Sequence, residues 1–250
     1  MNLQKLIFIS TLFFSHMVMG QDISFLLKEA EQLEEQRKEE DALAKYQEAL
    51  RISPTDLKAL CKISERNSIL GSRQTDKKAK QEHFTAAFMY AERAIAANEK
   101  SADANFVMGL AKAKLSEVSS PKEKIQFVKE IKNSAEKALE TDSLHYQSLH
   151  LLGKWHFEVS ALGGMEKAAI KLMGGLPPAS LTDAIVLFEK VRRIKPSFVL
   201  NYLDLAKAYK QQGRSDKAVE VLQRLVRMSP KSVDDETYKA EGKKMLESLL

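Results

Sequence analysis

Asp183-Ala184-Ile185-Val186-Leu187-Phe188-Glu189-Lys190-Val191, closed by Pro196, is answered downstream by Lys217-Ala218-Val219-Glu220-Val221-Leu222-Gln223-Arg224-Leu225, closed by Pro230. Ala184 and Ala218, Phe188 and Leu222, Val191 and Leu225, and Pro196 and Pro230 all lie 34 residues apart. A fixed period of this length marks a stack of helical hairpins, because a two-helix unit cannot bury its apolar face alone. The pattern has a mechanical reading. A small residue lets two helices approach, a large apolar residue fills the space between them, and proline stops the second helix. Between the two copies, Tyr202, Leu205, Ala206 and Tyr209 supply the other arm, and Gly213 supplies the turn.

Upstream, Ala42, Tyr46, Ala49 and Pro54 repeat the same spacing, after a first arm bearing Leu26, Ala30 and Leu33. Ala87, Ala91 and Ala94 mark a third copy with Glu99 in place of the proline, and Ala135 and Ala138 a fourth with Ser143 there. Leu149, Leu152, Gly153 and His156 open the copy that Pro196 closes. The expected fold is therefore an all-α solenoid of tetratricopeptide-like hairpins, at about 23–54, 57–99, 102–143, 146–196 and 198–230. Extra residues are expected at Gly71–Gln81, Ser116–Lys124 and, longest, Gly163–Ser180. Tyr238, Gly242, Met245 and Leu249 form one stripe of a last helix within 233–250, with Asp234 or Asp235 as its cap, and this helix should cover the open end of the stack.

Composition agrees. Ten Gly and six Pro in 250 residues, with 44% hydrophobic and 29% charged residues, suit a helix-rich globular chain and exclude collagen-like or disordered classes. The balance of 39 basic and 34 acidic residues leaves +5 with both signs interleaved, so no nucleic-acid patch is implied. At the N-terminus, Lys5 precedes the apolar run Leu6–Phe14, and Val18-Met19-Gly20 precedes polar Gln21-Asp22. That order reads as a secretory signal peptide over residues 1–20, cleaved after Gly20, with 21–250 as the mature solenoid. The run is short of the roughly 20 residues needed to span a bilayer. An uncleaved segment would anchor the chain with the same domain exported. The expected location is periplasmic or secreted.

Around the fourth hairpin, Gly153-Lys154-Trp155-His156-Phe157 is followed by the loop Gly175-Leu176-Pro177-Pro178-Ala179-Ser180 and then by Ala184 and Phe188. Together with Tyr90-Ala91-Glu92-Arg93-Ala94 and the Lys-rich segment before it, these residues resemble the regulator of microtubule dynamics family over roughly residues 55–230. The resemblance implies a tetratricopeptide-like helical fold without enzymatic activity. Eukaryotic members are associated with microtubules or with contacts between membranes. An exported chain does not meet tubulin, so the resemblance together with the export signal implies an exported, bacterial member and transfers the fold rather than the microtubule role.

Catalysis has no constellation to support it. His16, His83, His145, His150 and His156 include no pair at metal-binding i, i+4 spacing once His16 leaves with the signal peptide, and no phosphate-binding loop, dinucleotide fingerprint or nucleophile elbow is present. No enzyme, cofactor or metal is expected. Cys61, the single cysteine, excludes an internal disulfide and reads as a small apolar core residue.

Binding is the expected work. In a solenoid the first helices of successive hairpins line a concave groove. Register puts His150, Lys154 and Phe157 beside Lys207 and Lys210 there, a set of cations with one aromatic that suits an acidic peptide or a C-terminal carboxylate. The alternative reading makes these lysines ordinary solvated residues. Trp155 is expected to pack between hairpins. The apolar insertion Met165–Leu176, carrying Lys167 and Lys171, is expected to fold over the groove; its alternative is peripheral contact with a membrane.

Overall fold

The computed structural model describes residues 23–250. The expected signal segment lies outside the described residues. Twelve helices and no strand are found among them. They are α1 (residues 23–35), α2 (Glu39–Ile52), α3 (Leu57–Arg73), α4 (Lys77–Ala97), α5 (Ala102–Ser116), α6 (Pro121–Thr141), α7 (Tyr146–Ser160), α8 (Gly164–Leu172), α9 (Leu181–Ile194), α10 (Val199–Gln211), α11 (Ser215–Arg227) and α12 (Asp235–Glu247). The pairs α3/α4, α5/α6, α7/α9 and α10/α11 are antiparallel hairpins, α1/α2 precedes them, and α12 packs on α10 and α11. The all-α solenoid with a C-terminal capping helix is thus the observed fold.

Close helix approach explains the alanines and some of the glycines. Ala42, Ala49, Ala87, Ala91, Ala94, Ala135, Ala138, Ala184 and Ala218 are fully buried. Where a first arm crosses a neighbouring helix, even a methyl group is too large: a Cβ on Gly109 of α5 would lie 2.8 Å from Leu151 of α7, and one on Gly153 of α7 would lie 2.8 Å from Phe188 of α9. Tyr46, Phe84, Phe188 and Leu222 fill the space that these small residues leave.

The chain starts each arm with local chemistry. Asp56 accepts a hydrogen bond from the Ala59 amide at 2.8 Å, Ser101 from Ala104 at 3.2 Å, and Ser180 from Asp183 at 3.2 Å. Pro121 follows Ser120, whose amide donates to Glu123 at 3.0 Å, completing a capping box. These caps decide what becomes of the extra residues. At Gly71–Gln81 and Ser116–Lys124 they mostly lengthen helices, so that α4 and α6 each run for 21 residues. With Asp76 capping α4 through the Ala79 amide, the Lys-rich stretch has a ready helix start and no breaker within it. Only residues 163–180 leave the stack, as α8 and its flanking loops.

At the C-terminal end the expected cap chemistry differs. Asp234 occupies the N-cap position of α12 but makes no side-chain cap bond. Asp235 instead accepts from the Lys231 and Ser232 amides at 2.6 and 2.9 Å, holding the loop after Pro230. Tyr238, Met245 and Leu249 pack on the core of the last hairpin, and Gly242 lets α12 lie against Leu225. Trp155 is buried and donates from Nε1 to the Val128 carbonyl at 2.7 Å, tying α7 to the preceding hairpin.

Candidate functional site on the inner face

The first arms α3, α5, α7 and α10 pack side by side and form the inner face. Across it, Gln147 on α7 donates to Glu65 on α3 at 2.9 Å. Charged side chains of the first helices face one another there in two clusters.

One cluster joins α1, α2 and α3. Lys62 contacts Glu34 at 2.9 Å and Glu65 at 3.8 Å. Arg66 lies 3.4 Å from Glu34, 3.6 Å from Glu65 and 3.7 Å from Glu39. Burial lowers the pKa of Lys62 and Arg66, but the surrounding carboxylates outweigh it and hold both above their ordinary values. Arg73, the last residue of α3, binds Glu39 on one side and Asp234 on the other.

A second cluster joins α7 and α10. Asp204, 2% exposed, accepts a hydrogen bond from His150 Nε2 at 3.1 Å, and Lys154 Nζ stands 3.8 Å away. Burial pushes the Asp204 pKa up, but the His150 bond and the Lys154 and Lys207 charges pull harder and leave it lowered. Lys154 also pairs with Glu158 at 3.2 Å, and Lys207 with Glu241 of α12 at 2.8 Å.

Of the five residues expected in the groove, three gather around one carboxylate: His150, Lys154 and Lys207. Phe157 instead packs against the core of the last hairpin, and Lys210 is exposed in the last turn of α10. Asp204, Glu34, Arg66 and Arg73 were not singled out by sequence reasoning, and Asp234 was singled out only as a helix cap. The i, i+4 pair Lys154–Glu158 and the i, i+3 spacing of Asp204 and Lys207 are the sequence signals that carboxylates accompany these lysines. The remaining partners are distant in sequence and leave no such signal.

The insertion does not fold over the groove. No residue of α8 is buried, and Met165 and Leu172 are 89% and 90% exposed. Its ties to the solenoid are polar: Lys129 donates to the Gly174 carbonyl at 3.1 Å and Lys167 to the Ser160 carbonyl at 3.2 Å. A nine-residue helix with one apolar stripe and no partner element has nothing to bury that stripe against. No helix among the described residues is long and apolar enough to cross a membrane, and no three His, Cys, Asp or Glu side chains among them converge as a metal ion would require.

The family model described as regulator of microtubule dynamics protein 1-3 matches residues 26–250. Regulator of microtubule dynamics protein 1 of Caenorhabditis elegans is 29% identical over 127 residues, covering 50% of this chain and 56% of the worm protein. The Homo sapiens protein of the same name is 25% identical over 164 residues, covering 65% and 52%. The chain thus spans about half the length of the curated relatives it matches. Among solved structures, a thermophilic TPR protein of Thermus thermophilus superposes with a TM-score of 0.65 at 15% identity, over 89% of this chain and 99% of that one. That likeness shows the fold.

Proposed function

Since the chain belongs to the regulator of microtubule dynamics family and folds as a tetratricopeptide-like solenoid, we propose that it works as a non-enzymatic scaffold that holds an acidic segment of a protein partner on its inner face. The observation that carries this reading is the state of Lys154 and Lys207. Their side chains are 42% and 34% exposed, and Glu158 and Glu241, with which they pair, are 62% and 51% exposed. Ion pairs that open to water contribute about 0–1 kcal/mol, so an incoming carboxylate can replace either partner at little cost. His150 and Asp204 fix the two helices behind these ammonium groups. Lys210, exposed one turn further along α10, extends the same cationic row.

Charge reversal at Lys207 and Lys210 tests the assignment against an array of acidic peptides. Binding that weakens at least tenfold, with the helical signal intact, agrees with it; unchanged binding refutes it. The N-terminal segment supports export, with cleavage after Gly20 into a periplasmic or secreted form that does not meet tubulin. N-terminal sequencing of the cell-derived protein checks this, and a chain that still begins at Met1 in the cytosol would contradict it.

A second reading has its own observation. Met165 and Leu172 are exposed on a helix that also carries Lys167 and Lys171, with Met173 exposed just after it, an arrangement suited to the surface of an anionic membrane. Flotation of the mature chain with anionic liposomes, lost on Met165→Ser with Leu172→Ser, would favour it. No flotation would remove it.

A further inference from the structure

The two ends of the solenoid touch. Arg37, in the turn between α1 and α2, donates from Nη2 to the carbonyl of Pro230 at 2.6 Å, across 193 residues of chain. Arg73 grips Asp234 with two parallel hydrogen bonds, Nε to Oδ1 at 2.7 Å and Nη2 to Oδ2 at 2.9 Å, across 161 residues. Its other edge binds Glu39 at the start of α2. The first hairpin and the loop into the capping helix are therefore joined over the open side of the superhelix. The bonds that fasten the join are polar.

Three local features point to a purpose. Arg37 has φ of 60° and is the single non-glycine residue with positive φ among the described residues. The matching turn of the last hairpin has Gly213 there, at φ 80°, with the same backbone bonds: Lys38 to Leu33 and Arg214 to Tyr209, both 2.9 Å. An arginine thus stands where the hairpin geometry favours glycine, and its side chain is spent on the other end of the chain. Asp234 sits at an N-cap position and gives its carboxylate to Arg73 rather than to the helix. Arg73 and Asp234 remain 28% and 24% exposed, so water and salt reach the pair.

We propose that Arg37 and Arg73 form a clasp that opens and closes, and that partner segments reach the inner face when it is open. Closed, the solenoid is a ring whose inner charges are paired with one another. Open, the first hairpin swings from the cap and widens the route by which a chain segment, and not water alone, reaches the row between them. The gating role rests on the inner face being the binding surface, whereas opening is measured with no partner present.

Spin labels at Gln32→Cys on α1 and Lys243→Cys on α12, both exposed positions, report the gap by pulsed dipolar spectroscopy. Buried Cys61, its thiol pushed up to about 12, stays unlabelled. The intact clasp should give one short distance, and Arg37→Gly or Arg73→Gln, alone or at high salt, should add a longer one. Arg37→Gly keeps the hairpin turn in its favoured residue, so it remains informative if Arg73→Gln misfolds. In the same backgrounds, a thiol at Lys154→Cys reads access to the inner face through its reaction with polymer-linked maleimide relative to a small maleimide. Losing the clasp should speed the large reagent about fivefold, the shift expected when an exposed ion pair is lost. A single unchanged distance in both variants overturns the clasp. A longer distance with no change in the large reagent's rate overturns the gate and leaves the inner-face binding reading intact.

Discussion

Gly153→Ala places one methyl group at the tightest point of the one hairpin whose arms are not joined by a short turn. The arms of that hairpin, α7 and α9, are separated by residues 161–180, so their mutual contact must hold them together. The added Cβ would lie 2.8 and 2.9 Å from the Phe188 ring and 3.3 Å from Leu187. An ordinary carbon contact is about 3.5 Å or more, so the ring must retreat by ~0.7 Å. It has nowhere to go: Phe188 is fully buried, its ring meets His150 at 5.4 Å between centroids, and its carbonyl accepts from Asn201 at 2.9 Å. Overpacking of this kind costs about 1–3 kcal/mol. Replacing glycine by alanine in a helix returns about 0.8–1.0 kcal/mol, which leaves a net loss of up to about 2 kcal/mol, centred near 1. For a chain of this length a loss near 1 kcal/mol is a fall of about 2–4 °C in Tm. Thermal and urea unfolding followed by circular dichroism measure it. Gly164→Ala, where a Cβ meets nothing within 4 Å, is the control and should not destabilise. Adding Phe188→Leu to Gly153→Ala should recover part of the loss, a favourable coupling of about 1 kcal/mol between touching residues. A Gly153→Ala protein as stable as the parent, or more so, would show that propensity outweighs contact and that close approach does not dictate glycine here.

Asp204→Asn removes the carboxylate shared by His150 and Lys154 and should cost about 2 kcal/mol, less than the 3–5 typical of a broken buried pair because Lys154 keeps contact with water. Since the native pKa of Asp204 is lowered, its contribution is complete above about pH 4 and is lost as pH falls through the native value; the acid limb of the parent's stability profile should flatten in this variant. Cys61, buried and with a thiol pushed up to about 12 chiefly by burial, should resist alkylation at pH 8 by intact-mass analysis and react once the chain is unfolded; rapid native labelling would contradict its place in the core. Trp155→Phe deletes the bond to the Val128 carbonyl and should lower stability by about 1–2 kcal/mol in urea unfolding, with no loss attributable to the inner face, which Trp155 does not reach.

Residues that fold the hairpins were legible because their partners are local. Ala184 and Phe188 meet the arm just before them, and Ala218 and Leu222 do the same one period later. Helix stops were legible for the same reason: α2, α9 and α11 end two or three residues before Pro54, Pro196 and Pro230. The site was legible only in part. Register brought His150, Lys154 and Lys207 to one face, but it could not say that Asp204 would be buried among them, nor that Phe157 would turn into the last core. The fate of the insertion was likewise hidden: its apolar residues predicted packing, and only the absence of a facing element left Met165 and Leu172 in solvent.

By itself, then, the sequence determined the repeat, the arm that each residue belongs to and the need for small side chains at the crossings, since all of these depend on packing within one or two hairpins. The tertiary structure alone decided how far the stack curves. Curvature is the sum of small rotations between neighbouring hairpins, and no local pattern records a sum. On that sum depend the contacts of Glu65 with Gln147, of Arg73 with Asp234 and of Arg37 with Pro230, which make the inner face a paired and fastened surface rather than an open row of charges.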